Sequence, residues 1–568
     1  MRKHLAAITA LVLMLSLASC TSAPPSSQSP EESASPPPTG QPPAEIIRLA
    51  PSSPQNRPVF TLGEMPATEV VETKYGSMTG VYNEDQSVRA FAGVPYAAPP
   101  VGEFRFKAPQ PLQAWEGVLA CDLLPDAPMQ TAKIQEGISE DCLYMNIWTP
   151  AKTDEERLPV VLYMFPGGYT QGSASQSTYD GEEMAKKGVV FINVNSRVGI
   201  FGFFPHPDLS AESEFNVSGN YGMLDQLEAM KWIQENITAF GGDPDRVTIA
   251  GHSAGGKSVN IFAVSPLATG LFHRGICSSS ACFGVPGDHA GGVNQLRTLD
   301  ELSAQGAAYL DEQDVTIADL RAMTSAELME FGVPTNRICR PVIDGYVIPD
   351  TVYNLFATGK QNDVQIMVGN TYAEAGPYYL AMEKEYENYN YDTVLANAER
   401  IYGPYMEEFL AIYPSDTPER ALDDKVYALT DNQYTWHVRK WGQLDSLYQN
   451  DRVYAYNFSR FPVDSPELRT MQNAYHCSDI LYWLNNLKFA SENEVFNEYD
   501  RELSDTVSSY IVNFAATGDP NGPGLPVWEP FAENAQFMGL GDEVKMIDPP
   551  HEEALDFWEE YEAYLRDK

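Results

Sequence analysis

Past its first seventy residues the chain alternates between short apolar runs and segments whose apolar positions recur every three to four residues. Residues 160–164 and 189–194 are predominantly apolar and rich in Val and Ile, the pattern of strands buried on both faces. Residues 247–250 and 364–368 are further runs of this kind. Between them, residues 223–236 space Leu224, Leu227, Met230 and Trp232–Ile233 at helical intervals. This alternation predicts an α/β fold with a mostly parallel central sheet flanked by helices. Residues 70 to about 148 differ: short β-branched and aromatic runs broken by Gly/Pro turns predict an antiparallel β lead-in. Residues 380–445 mix charged and aromatic positions and predict a helical insertion. No internal repeat is evident.

The N-terminal pattern is of another kind. Arg2, Lys3 and His4 precede an apolar stretch from Leu5 to Leu17, too short to span a bilayer and flanked as a secretion signal is. It ends in Leu17-Ala18-Ser19-Cys20, which resembles the lipobox of bacterial lipoprotein signals. That resemblance implies a signal peptide over 1–19, a lipidated Cys20, and a protein exported and anchored to a bacterial membrane outside the cytoplasm. Of the 38 residues from Thr21 to Pro58, 11 are Pro and 8 are Ser. Such a segment builds no core, so 20–58 reads as a tether, with a reach of roughly 35 Å as a coil and about 120 Å if fully extended. Residues 59–568 then form the body.

Composition narrows what that body does. Hydrophobic residues make up 43%, with 25 Phe, 31 Tyr and 8 Trp, enough for a sizeable core. Lys and Arg number 37 against 78 Asp and Glu, a formal charge of −41. A surface so acidic repels phosphate backbones and excludes nucleic acid as a partner. Neither Cys-x-x-Cys nor His-Glu-x-x-His occurs, so no metal and no cofactor is expected.

Chemistry enters at Gly251-His252-Ser253-Ala254-Gly255-Gly256. A Gly-x-Ser-x-Gly directly after the run 247–250 and before small residues has the context of a nucleophile elbow. There a tight strand-to-helix turn lifts the Ser oxygen above the sheet. The helix start supplies backbone N–H groups and a positive dipole for a developing oxyanion. His252 adjoins Ser253, and neighbouring side chains diverge in such a turn, so it is rejected as the base.

Four blocks carry a wider likeness: FAGVPYAAPPVGEFRFKAPQP, SEDCLYMNIWTP, GNYGMLDQLEAMKWIQENITAFGGDPDRVTIAGHSAGG and YIVNFAATGDPNGP. Through them the chain, from about Val70 to Phe531, resembles the type-B carboxylesterases, the cholinesterase/carboxylesterase group of α/β-hydrolases. The resemblance implies the α/β-hydrolase fold and hydrolysis of a small carboxylic ester through an acyl-enzyme. It implies a Ser253–His476–Glu374 triad, with His476 in Tyr475-His476-Cys477-Ser478-Asp479 and Glu374 five residues after Gly369. Asp344 and Asp350 are weaker rivals for the acid. The oxyanion hole would use the N–H groups of Gly167, Gly168 and Ala254, with Phe165-Pro166 standing where the family usually has His-Gly. His252 stands where the family usually has Glu, and Pro128 replaces the first cysteine of its early disulfide. Cys142 could instead pair with Cys121. Some relatives have lost catalysis and become surface binding modules, so a catalytically weak adhesion module is the alternative function. An amidase or peptidase would use the same machinery.

Overall fold

The computed structural model describes residues 45–47, 65–133, 137–286, 295–376, 390–448, 453–462, 473–490 and 495–568. The signal, Cys20 and all of the tether except 45–47 lie outside the described residues.

Eleven strands form the main sheet: β1 (Val81–Tyr82), β2 (Arg89–Pro95), β3 (Tyr144–Thr149), β4 (Leu158–Met164), β5 (Val190–Val194), β6 (Gly242–His252), β7 (Arg274–Ser278), β8 (Gln365–Thr371), β9 (Val453–Phe458), β10 (Phe537–Leu540) and β11 (Val544–Ile547). Their order in space is β1-β2-β3-β5-β4-β6-β7-β8-β9-β10-β11. From β5 through β10 every neighbouring pair is parallel. The pairs toward either edge are antiparallel. The flanking helices are α1 (Tyr221–Asn236), α2 (Ala254–Phe262), α3 (Trp436–Ser446), α4 (Glu498–Thr517) and α5 (Glu552–Arg566). This is the α/β-hydrolase fold.

The apolar runs follow from the two faces of this sheet. On β4, Val160, Leu162 and Met164 enter one core with Leu227, Met230 and Ile233 of α1. Val161 and Tyr163 point the opposite way, into a second core with Val507, Ile511 and Phe514 of α4. A strand covered on both sides cannot alternate apolar with polar, so the sequence shows a run. Each such side chain stabilises the fold by about 1.5–3 kcal/mol on burial. Local signals bound α4. Asn497 and Asp500 form a reciprocal capping box, and Gly518, at φ 83°, ends the helix in the left-handed conformation.

Three expectations need correction. The lead-in is not purely antiparallel: in its four-stranded sheet, Ser77–Thr79 pairs antiparallel with Val71–Glu72 but parallel with Val118–Ala120. Within the tether, Ile46 and Ile47 pair in parallel with Val118 and Leu119, and this short extended segment completes the open edge of that sheet. The described part of the 380–445 segment is helical, but its last helix is no peripheral insertion. Nine residues of α3 are buried, and its charged residues Arg439 and Lys440 pair with Asp556 and Glu559 of α5. Charges that look solvent-bound in the sequence are used here to fasten two helices. Finally, Cys121 and Cys142 are both free and buried, as are Cys277, Cys282 and Cys339.

The winding of the sheet marks one place. After β4 the chain adds β5 on one side, then crosses over to lay β6 on the other. A crevice opens outside the carboxyl ends of the strands where the winding reverses, and ligands of open α/β sheets bind there.

Candidate active site

Loops from the carboxyl ends of β4, β6, β8 and β9 carry every residue named above for catalysis, except Ala254 at the first position of α2. Ser253 sits between β6 and α2 with φ 56° and ψ −119°, a conformation that non-glycine residues avoid. Its N–H donates to the Ser278 carbonyl at the end of β7 (2.9 Å), and its carbonyl accepts from Lys257 N–H (2.8 Å). The surrounding glycines are there because nothing larger fits. A Cβ on Gly251 would collide with the backbone of Gly255, one on Gly255 with the Met164 carbonyl, and one on Gly256 would lie 2.7 Å from the Ser278 oxygen. Ala254 opens α2, and the amides of a helix's first turn have no partner within the helix.

The loop after β4 is shaped by its glycines and tied down from several sides. Gly167 and Gly168 adopt φ 134° and 62°, and Tyr169 follows at φ 62°. Gln130 clamps the loop's far end, donating to the Gly172 carbonyl at 2.7 Å and accepting from its N–H at 2.8 Å. The Tyr169 carbonyl accepts from Gly199 N–H (2.7 Å). Pro166 adds stiffness at the entry, because its φ is locked by the ring.

Glu374 and His476, 102 residues apart, are brought together: Nδ1 of His476 and Oε2 of Glu374 lie 2.5 Å apart. The Glu374 side chain is wholly buried, and its other oxygen accepts from Thr371 N–H at 2.7 Å. The His476 side chain keeps 19% exposure, so one end of the pair is locked and the other is open. Burial works against a charged His476 ring, but Cys477, Tyr434 and Glu374 outweigh it and hold its pKa well above the usual imidazole value. The rivals Asp344 and Asp350 are used elsewhere. Asp344 accepts from Asn220 and closes a turn with Tyr346 and Ile348, while Asp350 accepts from Asn354 and Thr351.

Sequence reasoning passed over the rest of the site. His252, wholly buried, bonds through Nε2 to Asp479 Oδ1 at 3.0 Å, and Trp483 Nε1 donates to the other Asp479 oxygen at 3.1 Å. Its Nδ1 faces Cys477 Sγ at 3.4 Å, and its ring packs edge-on against His476, centroids 5.0 Å apart. Burial again opposes charge on His252, yet Cys477 and Asp479 raise its pKa to about 10. The same burial disfavours a Cys477 thiolate, but His252 and His476 bring that thiol down to about 6. Cys477 stands at φ 73°, a strained turn that separates it from a simple loop position. The departure at His252 and the nearby Asp479 were the available signals. Tyr434 was beyond reach of sequence reasoning: it comes to 5.5 Å from the His476 ring on a π-helical turn, Asp431–Thr435, just before α3. Such bulges recur at functional sites because they re-aim one side chain within a helix.

A serine on a strained turn, an adjoining glycine loop and a buried carboxylate on a half-open histidine make an arrangement suited to acyl transfer. The carboxylesterase family model matches residues 67–558. The chain belongs to the carboxylesterase family. A fumonisin B1 esterase of Sphingopyxis macrogoltabida is 31% identical over 495 residues, covering 84% of this chain and 87% of that protein. A para-nitrobenzyl esterase of Bacillus subtilis is 30% identical, covering 85% of this chain and 97% of the other. Among solved structures, a carboxylesterase of Geobacillus stearothermophilus superposes with a TM-score of 0.73 at 30% identity, covering 86% of this chain and all of its own. The protein is therefore a carboxylic ester hydrolase of the serine type.

Proposed function

We propose that Ser253 is the nucleophile of this carboxylesterase, His476 its general base and Glu374 the residue that orients the base. The observation that carries the reading is the buried Glu374 carboxylate on Nδ1 of His476, which leaves Nε2 as the ring's working nitrogen. Nε2 takes the Ser253 proton as Oγ attacks the acyl carbon. Glu374 keeps the ring in one tautomer and stabilises the imidazolium without accepting its proton. The tetrahedral oxyanion is met by the N–H groups of Gly167, Gly168 and Ala254, fixed in advance by loop and helix. His476 then protonates the leaving alcohol, the acyl-enzyme forms, and a water deprotonated by the same nitrogen releases the acid. Pro166 has no N–H to give, and the donors begin one residue later, so this departure costs the hole nothing.

The substrate we infer is a small carboxylic ester. Ser253→Ala should lower hydrolysis of p-nitrophenyl esters by at least about four orders of magnitude, since triad members act as a unit. An organophosphonate probe should label Ser253 and no other residue. A variant keeping a tenth of the rate would sink the assignment. We also propose, from the lipobox and the Pro/Ser stretch, that Cys20 carries the lipid that holds the enzyme at a membrane outside the cytoplasm. Cys20→Ser should then shift activity from the membrane to the soluble fraction; a wild type that is already soluble overturns it.

A further inference from the structure

Cys477 lies between two histidines that are each already tied to a carboxylate. Asp479 holds Nε2 of His252, and Glu374 holds Nδ1 of His476. Each ring thereby has one further nitrogen to offer once it is deprotonated, Nδ1 on His252 and Nε2 on His476. Nothing in the esterase chemistry requires the first of these, nor the thiol beside it.

The geometry points to a metal site. His252, His476 and Cys477 each offer a ligand atom, and the three atoms lie within 4.8 Å of one another. Tetrahedral zinc, with Zn–S near 2.3 Å and Zn–N near 2.0–2.1 Å, sets a sulfur-to-nitrogen separation of about 3.6 Å. Cys477 Sγ and His252 Nδ1 already stand at 3.4 Å. A pair 4.8 Å apart would have to close by about 1.2 Å to reach that separation. The carboxylates behind the rings are the usual outer partners of metal-binding histidines, where they fix the tautomer and make the free nitrogen more basic. The formal charge of −41 concentrates cations around the whole molecule.

We propose that His252, Cys477 and His476 bind a thiophilic divalent cation of the Zn2+ type, and that its binding switches the esterase off. The switch rests on the reading of His476 as the general base: the cation takes the lone pair of Nε2 that would otherwise accept the Ser253 proton. On binding, the proton shared by His252 Nδ1 and Cys477 Sγ and the proton that the imidazolium form of His476 carries on Nε2 leave to solvent, each N–H or S–H bond being replaced by a bond to the ion. No electron is transferred. The fourth position of the ion is left to water. The metal is an inhibitory ligand here, distinct from the structural or catalytic zinc that the sequence gives no reason to expect.

The test uses the full-length enzyme, freed of metal with a chelator and then titrated with Co2+ and with Zn2+. Cobalt reports its own ligands by absorption, so binding is read independently of activity. Wild type should show one thiolate-to-cobalt charge-transfer band that Zn2+ displaces, and lose at least tenfold in ester hydrolysis, recovered on adding EDTA. Cys477→Ser should lose the charge-transfer band, and both it and His252→Gln should need at least tenfold more zinc for half-inhibition. Each variant is compared with its own metal-free rate, so a change in basal activity does not enter. Absence of the cobalt band in wild type, or equal zinc sensitivity in wild type and both variants, overturns the site. A cobalt band with undiminished hydrolysis overturns the switch. An active Ser253→Ala enzyme that still shows the band would instead fault the nucleophile and leave the metal site standing.

Discussion

Two histidine–carboxylate pairs stand side by side at the carboxyl edge of the sheet, and they are chemically alike. His476 is joined to Glu374 at 2.5 Å and His252 to Asp479 at 3.0 Å; both carboxylates are wholly buried. They differ in access. The His476 side chain keeps 19% of its surface, whereas His252 keeps 2%. One ring has an edge open to a substrate, while the other is enclosed, with Asp479, Cys477 and the neighbouring ring against it. A carboxylate behind a histidine thus does not make it a base. The environment of the remaining nitrogen decides between a working proton acceptor and a structural ion pair or metal ligand.

The largest effect that would sharpen this contrast is on rate. Glu374→Gln leaves the shape of the first pair nearly intact but favours the wrong tautomer, and should lower kcat by about 10^3–10^4. His252→Leu should leave kcat within tenfold of wild type, measured in chelator, while removing the only cation beside the buried Asp479 carboxylate among the described residues. Breaking a buried pair from one side costs about 3–5 kcal/mol, so urea denaturation should show a loss of that size. If the Leu variant loses rate like the Gln variant, the two pairs are one functional unit and the contrast falls.

A smaller effect concerns pH. The proposed general base, His476, is useful only when unprotonated, and its pKa is held above its ordinary value, so kcat/KM should fall with acidification through an apparent pKa above about 6.5. Cys477 is one of the charges that raises it. Cys477→Ser, in chelator, should therefore move that limb toward lower pH. A limb at or below 6.5 in the wild type would break the argument.

Parts of the molecule were legible in advance because their cause is local. The runs at 160–164 and 189–194 became β4 and β5, and the helical spacing at 223–236 became α1, since burial on one face or two leaves a periodic mark. The elbow glycines were readable for a similar reason: a turn with no room for a Cβ admits little else. Segment 380–445 was read as a helical insertion, and its helices were foreseen but not the burial of the last one. Arg439 and Lys440 are buried, and only the approach of α5 supplies their partners. The pairing of Cys121 with Cys142 failed likewise, since spacing along the chain does not bring two thiols together.

By itself, then, the chain determined its strands, its principal helices, its strained serine turn and its membership of a recognisable family. Which of its 78 acidic residues would stand behind which histidine was decided only in three dimensions. Glu374 meets His476 across 102 residues, and Asp479 meets His252 across 227. Neither separation leaves a trace in local pattern. Side-chain periodicity records which face of an element is buried, whereas a polar pair depends on where separate strand ends come to lie. The sheet order β4-β6-β7-β8-β9 sets those positions side by side, and the strained turn at Cys477 holds the thiol and the two rings in contact.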